Sequence, residues 1–174
     1  ITRAEASSLI YNLLGLDFYL NSTNEFSDVN EKDWYYKTVS TLSSKEYPIF
    51  AGYPDGTFKP NAKITRAEIA VLLVKLGVPE DEVNKEIDKA LFADVNDHGA
   101  KAYIKAAAEK GIISTENLIF NPNNSATRAE TSTMVFNSIG REEIIPDNPT
   151  FVDVDKNHWA YSKIESIVRE SIVE

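Results

Sequence analysis

The chain has no cysteine among its 174 residues, which excludes disulfide bonds, a thiolate nucleophile and thiolate zinc sites. Only two histidines occur, His98 and His158, so little is available for metal binding or general-base catalysis. No apolar run approaches the roughly 18 residues of a membrane-spanning helix, and no export leader or lipidation signal is recognisable. The sequence therefore predicts no membrane span, no metal, no cofactor and no export signal within this segment.

Basic residues are scarce relative to acidic ones, with 18 Lys and Arg against 27 Asp and Glu, for a formal net charge of −9. Because nucleic-acid binding needs clustered positive charge, nucleic acid is excluded as a partner. The hydrophobic fraction of 43% is sufficient for the core of one ordinary domain. An anionic ligand would have to be met by local groups in an otherwise acidic protein.

The chain repeats itself. ITRAE at residues 1–5 recurs at 64–68, and ATRAE follows at 126–130. A second landmark, Phe-x-Asp-Val, begins at Phe26, Phe92 and Phe151 with the same period of about sixty residues. We therefore predict a single domain over 1–174 built from copies of one unit. Its repeat pieces are 1–25 (second half of a unit), 26–91 and 92–150 (full units), and 151–174 (first half of a unit).

Each unit contains two predicted helices. The first begins at TRAE with a capping box of Thr and Glu, and the three pairs are Thr2/Glu5, Thr65/Glu68 and Thr127/Glu130. The second begins near Trp34, Ala100 and Trp159, and Gly15, Gly77 and Gly140 are expected to cap the ends of the TRAE helices. The pattern predicts a mainly α, pseudo-threefold fold in which the TRAE helices form a central bundle and the other three helices pack outside.

Two other features recur between the helices. An aspartate precedes each second helix, at Asp28, Asp94 and Asp153, and capping of the helix start is the favoured role, with ligand contact a secondary one. GYPDGTFKP, from Gly52 to Pro60, predicts a tight turn flanked by aromatic residues. The later copy of this loop keeps only Phe120 and Pro122.

Arginine occupies the first helical position of all three TRAE helices, at Arg3, Arg66 and Arg128, although the positive end of a helix disfavours a cation. An arginine beside free backbone N–H groups is a suitable site for a carboxylate. The alternative is a surface salt bridge to a neighbouring acid. Trp34 and Trp159 also admit two roles, either core packing or a surface for the apolar face of a sugar.

Phe-x-Asp-Val, the tryptophan of His158-Trp159-Ala160, GYPDGTFKP and ITRAE closely resemble, in this order and spacing, the S-layer homology family over essentially the whole chain. The resemblance implies a three-pronged, non-catalytic domain that anchors exported proteins at the bacterial cell surface. It implies binding of secondary cell-wall polysaccharide, commonly through a pyruvate ketal on N-acetylmannosamine, or of another peptidoglycan-linked polymer. It also assigns ligand binding to the TRAE arginines.

The predicted ligand-binding residues are Arg3, Arg66, Arg128, Trp34, Trp159, Asp28, Asp153, Tyr53 and Gly56. Arg66 is expected to have the fullest set of partners, with Trp34, Tyr53 and Gly56 in its own copy. If the domain closes with threefold symmetry, Glu174 lies near Ile1 and the groove beside Arg3 lacks its loop wall. Ala100 stands at the tryptophan position of its copy, so a groove built there should bind less well or differently.

Two other functions compete with glycan anchoring. The repeats could serve protein assembly within a surface layer, which binding to protein-free wall polymer would distinguish. An enzyme acting on wall glycan would need a paired acid and base, and no pair of carboxylates stands apart from the capping pattern.

Overall fold

The computed structural model describes residues 1–16, 24–83 and 91–170, and these residues are mainly helical. Within them lie α1 (Arg3–Leu13), α2 (Tyr36–Leu42), α3 (Arg66–Gly77), α4 (Glu80–Val83), α5 (Lys101–Glu109), α6 (Arg128–Ile139) and α7 (Tyr161–Glu170), with a 3₁₀ turn at Ala93–Val95. Residue pairing of the β type is limited, in this described part, to isolated bridges between Thr2 and Lys63 and between Thr65 and Ser125. The predicted mainly α class is confirmed.

The chain forms two compact units, residues 1–64 and 65–174. In the first unit α1 packs on α2. In the second unit α3 packs on α5 and α6, α6 packs on α7, and α4 lies against α5. Two TRAE helices, α3 and α6, are therefore in contact, whereas a bundle of all three, the threefold symmetry and the single domain with its repeat pieces remain predictions. The expected proximity of Glu174 to Ile1 lies outside the described residues.

All three TRAE helices begin as the sequence predicts. Each starts at its arginine, and each capping box is complete, with the Thr hydroxyl accepting from the Glu N–H and the Glu carboxylate accepting from the Thr N–H. In α1 these two hydrogen bonds, between Thr2 and Glu5, measure 3.2 and 2.7 Å. The caps fix the direction in which each arginine side chain leaves the helix.

The three capping glutamates differ in burial. In α3 the Glu68 N–H donates to the Thr65 hydroxyl at 3.1 Å, and the Glu68 carboxylate accepts the Thr65 N–H at 2.7 Å. Both hydrogen bonds of the predicted cap are thus present at Glu68. Glu68 and Glu130 are half-buried, however, whereas Glu5 is exposed. Because a hydrogen bond is electrostatically stronger away from water, the partly buried cap of α3 is better protected than the exposed caps of α1 and α6.

The helix ends follow the prediction in two cases out of three. Gly15, which follows the C-cap residue Leu14 of α1, and Gly140, the C-cap residue of α6, adopt left-handed backbone angles, with φ of +58° and +65°. Gly77 is instead the last residue of α3, and the extended residue Val78 caps the helix with its N–H on the Val74 carbonyl. Pro79 explains this difference, because a residue that precedes proline is driven into extended conformations.

Each unit contains a pair of packed phenylalanine rings. Phe58 from the GYPDGTFKP loop is fully buried and lies 5.4 Å from Phe26, centroid to centroid. The later copy repeats this pair with Phe120 and Phe92, also at 5.4 Å. In both, the Phe-x-Asp-Val landmark supplies one ring and the loop supplies the other. None of the described helices has the length and apolar character that a bilayer crossing requires.

Candidate functional site

The two aspartates that were expected to cap helices instead hold loops. The Asp28 carboxylate accepts the N–H of Phe58 at 2.7 Å and of Lys59 at 2.8 Å. Asp94 accepts in the same way from Phe120 at 2.9 Å and from Asn121 at 2.6 Å. The helix-capping interpretation is wrong for Asp28 and Asp94, because both oxygens of each carboxylate are used by a segment about 30 residues further along.

The backbone of the loop makes this double contact possible. Lys59 and Asn121, which follow the buried phenylalanines, both have φ of +58° in the left-handed region. Two successive N–H groups around such a residue converge on one anion. Burial raises the pKa of Asp94, but the N–H groups of Phe120 and Asn121 and the charge of Arg66 outweigh it, and the net pKa is lowered. Asp94 therefore holds its loop as a carboxylate.

Arg3 is the most enclosed of the three TRAE arginines, with only 5% of its surface exposed. Its Nε donates to the Phe58 carbonyl and its Nη2 to the Ala51 carbonyl, both at 2.8 Å. The guanidinium carbon lies 4.7 Å from the ring centroid of Phe58 and 4.9 Å from that of Tyr53. These contacts place the GYPDGTFKP loop directly over Arg3.

Arg66 repeats part of this arrangement with the later loop. Its Nε donates to the Phe120 carbonyl at 2.8 Å, and its guanidinium carbon lies 4.8 Å from the Phe120 ring centroid. Its Nη1 forms a salt bridge with Glu130, whose other oxygen closes the capping box of α6. The salt-bridge interpretation therefore holds for Arg66, although the pair is partly buried, with 22% of the Arg66 side chain exposed.

The backbone donors at the starts of α1 and α3 are already used. The N–H of Arg3 donates to the Ala62 carbonyl at 2.9 Å, and that of Ala4 to the Pro60 carbonyl at 3.0 Å. Arg66 and Ala67 donate to the carbonyls of Asn124 and Pro122 at the same distances. The expectation of free N–H groups beside the arginine is wrong at these two helices, since a loop of the chain itself occupies them.

The expectation that the groove beside Arg3 lacks its loop wall is also wrong. The loop is present there, with Tyr53 against the Arg3 guanidinium and the Ala51 carbonyl accepting from it. Gly56 has φ of +75° and accepts the N–H of Ser27 at 3.0 Å, so it forms the turn of that same wall. Arg3 and Arg66 each contact the loop that follows them by about 55 residues, a pairing that a repeated sequence leaves open.

Arg128 differs from the other two arginines. It is exposed, and within the described part of the chain neither its guanidinium nor its backbone N–H has a hydrogen-bond partner. It lines a cavity of about 230 Å³ together with Ala129, Phe151 and Asp153. Asp153 is exposed and likewise has no partner among the residues described.

A larger cavity of about 450 Å³ lies beside Arg66. It brings Arg66 together with Trp159 and Lys163, and its polar lining includes Ser114, Asn117, Asn137, Glu116 and Glu130. Trp159 is 63% exposed and Trp34 is 65% exposed, so the core-packing interpretation is wrong for both tryptophans. Lys163 was missed from the sequence, although its position four residues after Trp159 could have suggested it.

Charge and apolar surface are thus combined in this second cavity. The pKa of Glu130 is lowered, because hydrogen bonds from Thr127 and the charge of Arg66 outweigh the effect of burial. Glu130 therefore neutralises part of the positive charge of Arg66. The Nη2 of Arg66 makes no hydrogen bond within the described residues. Lys163 adds a second cation to the cavity lining. No group of three or more His, Asp or Glu side chains arranged to hold a metal ion occurs in the described ranges.

Comparison with known proteins decides the family. Residues 25–70 and 91–132, about half of the chain, match the S-layer homology domain. The chain belongs to the S-layer homology family. The matched ranges contain both loop-holding aspartates, Asp28 and Asp94, and Arg66.

Individual relatives extend the likeness over nearly the whole sequence. The cellulosome-anchoring protein of Acetivibrio thermocellus is 34% identical over 98% of this chain. Cell surface glycoprotein 1 of the same organism is 31% identical over 94% of the chain, and the surface-layer 125 kDa protein of Lysinibacillus sphaericus is 30% identical over 84%. The chain spans only 39%, 7% and 12% of these proteins, respectively.

Proposed function

We propose that this S-layer homology domain is a non-catalytic anchoring module that attaches its protein to the bacterial cell wall, at the cell surface. Family membership supports this assignment, as do relatives named for anchoring and for the surface layer. The ligand that we propose is secondary cell-wall polysaccharide carrying a pyruvate ketal on N-acetylmannosamine. The observation that carries this proposal is the cavity shared by Arg66, Lys163 and Trp159.

The chemistry of this cavity suits an acidic sugar. A pyruvate ketal presents one carboxylate beside a ring that has both hydroxyl groups and an apolar face. Arg66 and Lys163 supply cations for the carboxylate, and the exposed Trp159 ring offers a surface to the sugar while its indole N–H can donate to a hydroxyl. Asn117 and Asn137 provide amide donors and acceptors in the same lining.

In this proposal, only some of the residues that were predicted from the sequence to bind ligand make the main contacts with the glycan. Arg66 and Trp159 line the cavity and carry the proposed contacts. Tyr53 and Gly56 belong to the loop closed over Arg3, and Asp28 holds that loop. A ligand role for these residues and for Arg3 would have to coexist with their structural contacts. Trp34 remains a proposed sugar surface because it is exposed, and Arg128 and Asp153 line the smaller cavity.

Calorimetric titration with protein-free polymer tests the function. Pyruvylated wall polysaccharide is expected to bind saturably, and the same polymer after mild acid removal of the ketal is expected to bind at least about tenfold more weakly, because a charge-assisted contact is lost. Equal binding of the two polymers would rule out the ketal as the determinant. Absence of binding to either polymer would favour the alternative, a module for protein assembly within a surface layer.

Variants of the cavity test the site. Lys163→Ala is expected to weaken binding of the pyruvylated polymer without unfolding the protein, because Lys163 is only partly buried. Lys32→Ala, at an exposed lysine outside the cavity lining, is the matched control and should leave binding unchanged. Arg66→Ala should abolish most of the binding, and circular dichroism is needed alongside it since Arg66 also holds Phe120.

A further inference from the structure

The two complete loops of this chain share a sequence and a binding mode. Phe58-Lys59-Pro60-Asn61 and Phe120-Asn121-Pro122-Asn123 both read Phe-x-Pro-Asn, and we refer to them as the Phe-x-Pro-Asn segments. Each is held by hydrogen bonds to an arginine, to the alanine after that arginine and to an aspartate. Each also buries its phenylalanine ring against the phenylalanine of a Phe-x-Asp-Val landmark.

The contacts at the two segments are equivalent, atom for atom. The aspartate accepts the N–H of the phenylalanine and of the next residue. The arginine Nε donates to the phenylalanine carbonyl at 2.8 Å in both. The alanine N–H donates to the proline carbonyl, and the arginine N–H donates to the carbonyl two residues beyond the proline. A receptor for this segment therefore consists of four groups in a fixed arrangement. They are the arginine, the alanine after it, the aspartate and the phenylalanine of the Phe-x-Asp-Val landmark.

The cavity beside Arg128 contains the same four groups without a segment. Arg128, Ala129, Phe151 and Asp153 all line it, and they stand at the repeat positions of Arg66, Ala67, Phe92 and Asp94. In the described part of the chain, the N–H groups of Arg128 and Ala129 and the carboxylate of Asp153 have no hydrogen-bond partners. The remaining lining is largely apolar, with Val154, Ile164, Ile167 and Val168, as a buried phenylalanine ring requires.

We infer that this cavity is a receptor for a further Phe-x-Pro-Asn segment, a short peptide loop that is neither of the two in this chain. Both of the chain's own segments are already held, at Arg3 and at Arg66. The occupant places its phenylalanine ring against Phe151, its two N–H groups on Asp153, and its phenylalanine and proline carbonyls on Arg128 and Ala129. The inference stands independently of the glycan proposal, which rests on the cavity at Arg66.

A synthetic peptide tests this receptor. Acetyl-Gly-Thr-Phe-Lys-Pro-Asn-Ala-Lys-amide, which copies residues 56–63, is titrated into the ¹⁵N-labelled protein while the amide resonances of Arg128, Ala129 and Phe151 are followed. We expect saturable shifts at these residues and a stoichiometry of one. The same peptide with alanine in place of phenylalanine is expected to bind at least about tenfold more weakly, because a buried aromatic ring supplies most of the apolar contact.

Two variants locate the contact. Arg128→Ala and Asp153→Ala are both expected to weaken the affinity for the peptide by about tenfold or more. Both side chains are exposed, so the fold should persist. Asp97→Ala, at an exposed aspartate outside the cavity, is the control and should have no effect. No shift at millimolar peptide, or shifts that survive both variants, would overturn the inference. So would displacement of the peptide by pyruvylated polymer, since the cavity would then be a glycan site.

Discussion

Arg66 and Phe120 are joined twice, by a 2.8 Å hydrogen bond from the arginine Nε to the phenylalanine carbonyl and by the guanidinium lying 4.8 Å from the phenylalanine ring centroid. Arg3 and Phe58 repeat both contacts at 2.8 and 4.7 Å. The TRAE arginine therefore has a structural role at Arg3 and Arg66, independent of any role in ligand binding. It connects the start of one helix to the loop of the following copy, which accounts for a cation at an electrostatically unfavourable position.

Arg3→Ala is expected to lower the free energy of unfolding by about 2–4 kcal/mol. The substitution leaves the buried Phe58 carbonyl without its donor, removes the hydrogen bond to Ala51, and removes the cation from the Tyr53 and Phe58 rings. Urea unfolding followed by circular dichroism measures the loss.

Arg128→Ala is the matched control, at the equivalent position of the third TRAE helix. Its side chain is exposed and makes no hydrogen bond or ion pair within the described residues, so its effect should stay within about 0.5 kcal/mol. Similar losses for the two variants would contradict the distinction drawn between an enclosed and an open arginine.

Asp28→Ala is expected to destabilise the protein by about 1.5–3 kcal/mol, because two backbone N–H groups of the loop lose a charged acceptor. The same variant should also make the loop more accessible to limited proteolysis near Lys59, whose left-handed backbone is otherwise held by this carboxylate. Asp97→Ala, an exposed aspartate with no partner among the described residues, serves as the comparison and should be near neutral. If the two variants are equally stable, Asp28 does not anchor the loop.

Much of the helical framework could be predicted from the sequence because its signals are local. The capping boxes at Thr2, Thr65 and Thr127 involve residues three apart, and all three are formed. The half-burial of Glu68 could not be read in this way, because it depends on what packs against the start of α3. The end of α3 was missed at Gly77 because Pro79 overrides the glycine signal, another local effect that could have been weighed.

The pairing of arginines with loops could not be predicted in this way. The sequence has two similar loops and three TRAE helices, so the pairing of Arg3 with Phe58, 55 residues away, cannot be told from any other pairing by the sequence pattern. Only the path of the chain in three dimensions selects the loop of the following copy. The role of Asp28 was missed for the same reason, since its partners Phe58 and Lys59 lie 30 and 31 residues away.

Gly52→Ala is expected to destabilise the protein by about 1–3 kcal/mol. A methyl group at this position would overlap the Phe26 ring and lie 3.0 Å from the Thr57 carbonyl oxygen, so the aromatic pair of Phe26 and Phe58 would have to shift. Thermal unfolding measures the effect.

Gly77→Ala provides the contrast. Gly77 is helical, and an added methyl group would meet no atom within 4 Å. Because alanine favours the helix over glycine, this variant should be neutral or more stable by up to about 1 kcal/mol. A destabilised Gly77→Ala beside a neutral Gly52→Ala would reverse the expected order and contradict the packing described for Phe26.

Glu165→Gln is expected to destabilise the protein at pH 7 and to flatten its acid dependence. Glu165 is fully buried and accepts from the N–H and hydroxyl of Thr150, both at 2.7 Å, and from Arg169 Nε at 3.0 Å. Burial raises the pKa of Glu165, but these hydrogen bonds and the charge of Arg169 outweigh it, and the net pKa lies below its usual value of 4.5.

The lowered pKa fixes the sign of the pH effect. A carboxyl group with a depressed folded-state pKa contributes stability above its unfolded pKa and loses that contribution as the pH falls through its folded pKa. The difference in unfolding free energy between wild type and Glu165→Gln should therefore be constant near pH 7 and shrink as the pH is lowered below 4.5. Glu142→Gln, at an exposed glutamate, should follow the wild-type curve, and a pH-independent difference at Glu165 would contradict the assignment.

Trp159→Ala is expected to weaken binding of pyruvylated wall polysaccharide by about tenfold or more while leaving the unfolding free energy nearly unchanged. The ring is 63% exposed and lines the cavity of Arg66 and Lys163, so its removal takes away sugar contact and little core packing. Calorimetry gives the affinity and urea unfolding gives the stability of the same preparation. Leu118→Ala is the control, because Leu118 is 74% exposed and apolar but does not line the cavity. Loss of affinity in both variants would mean that general apolar surface drives binding, whereas loss in Trp159→Ala alone assigns the sugar to the indole.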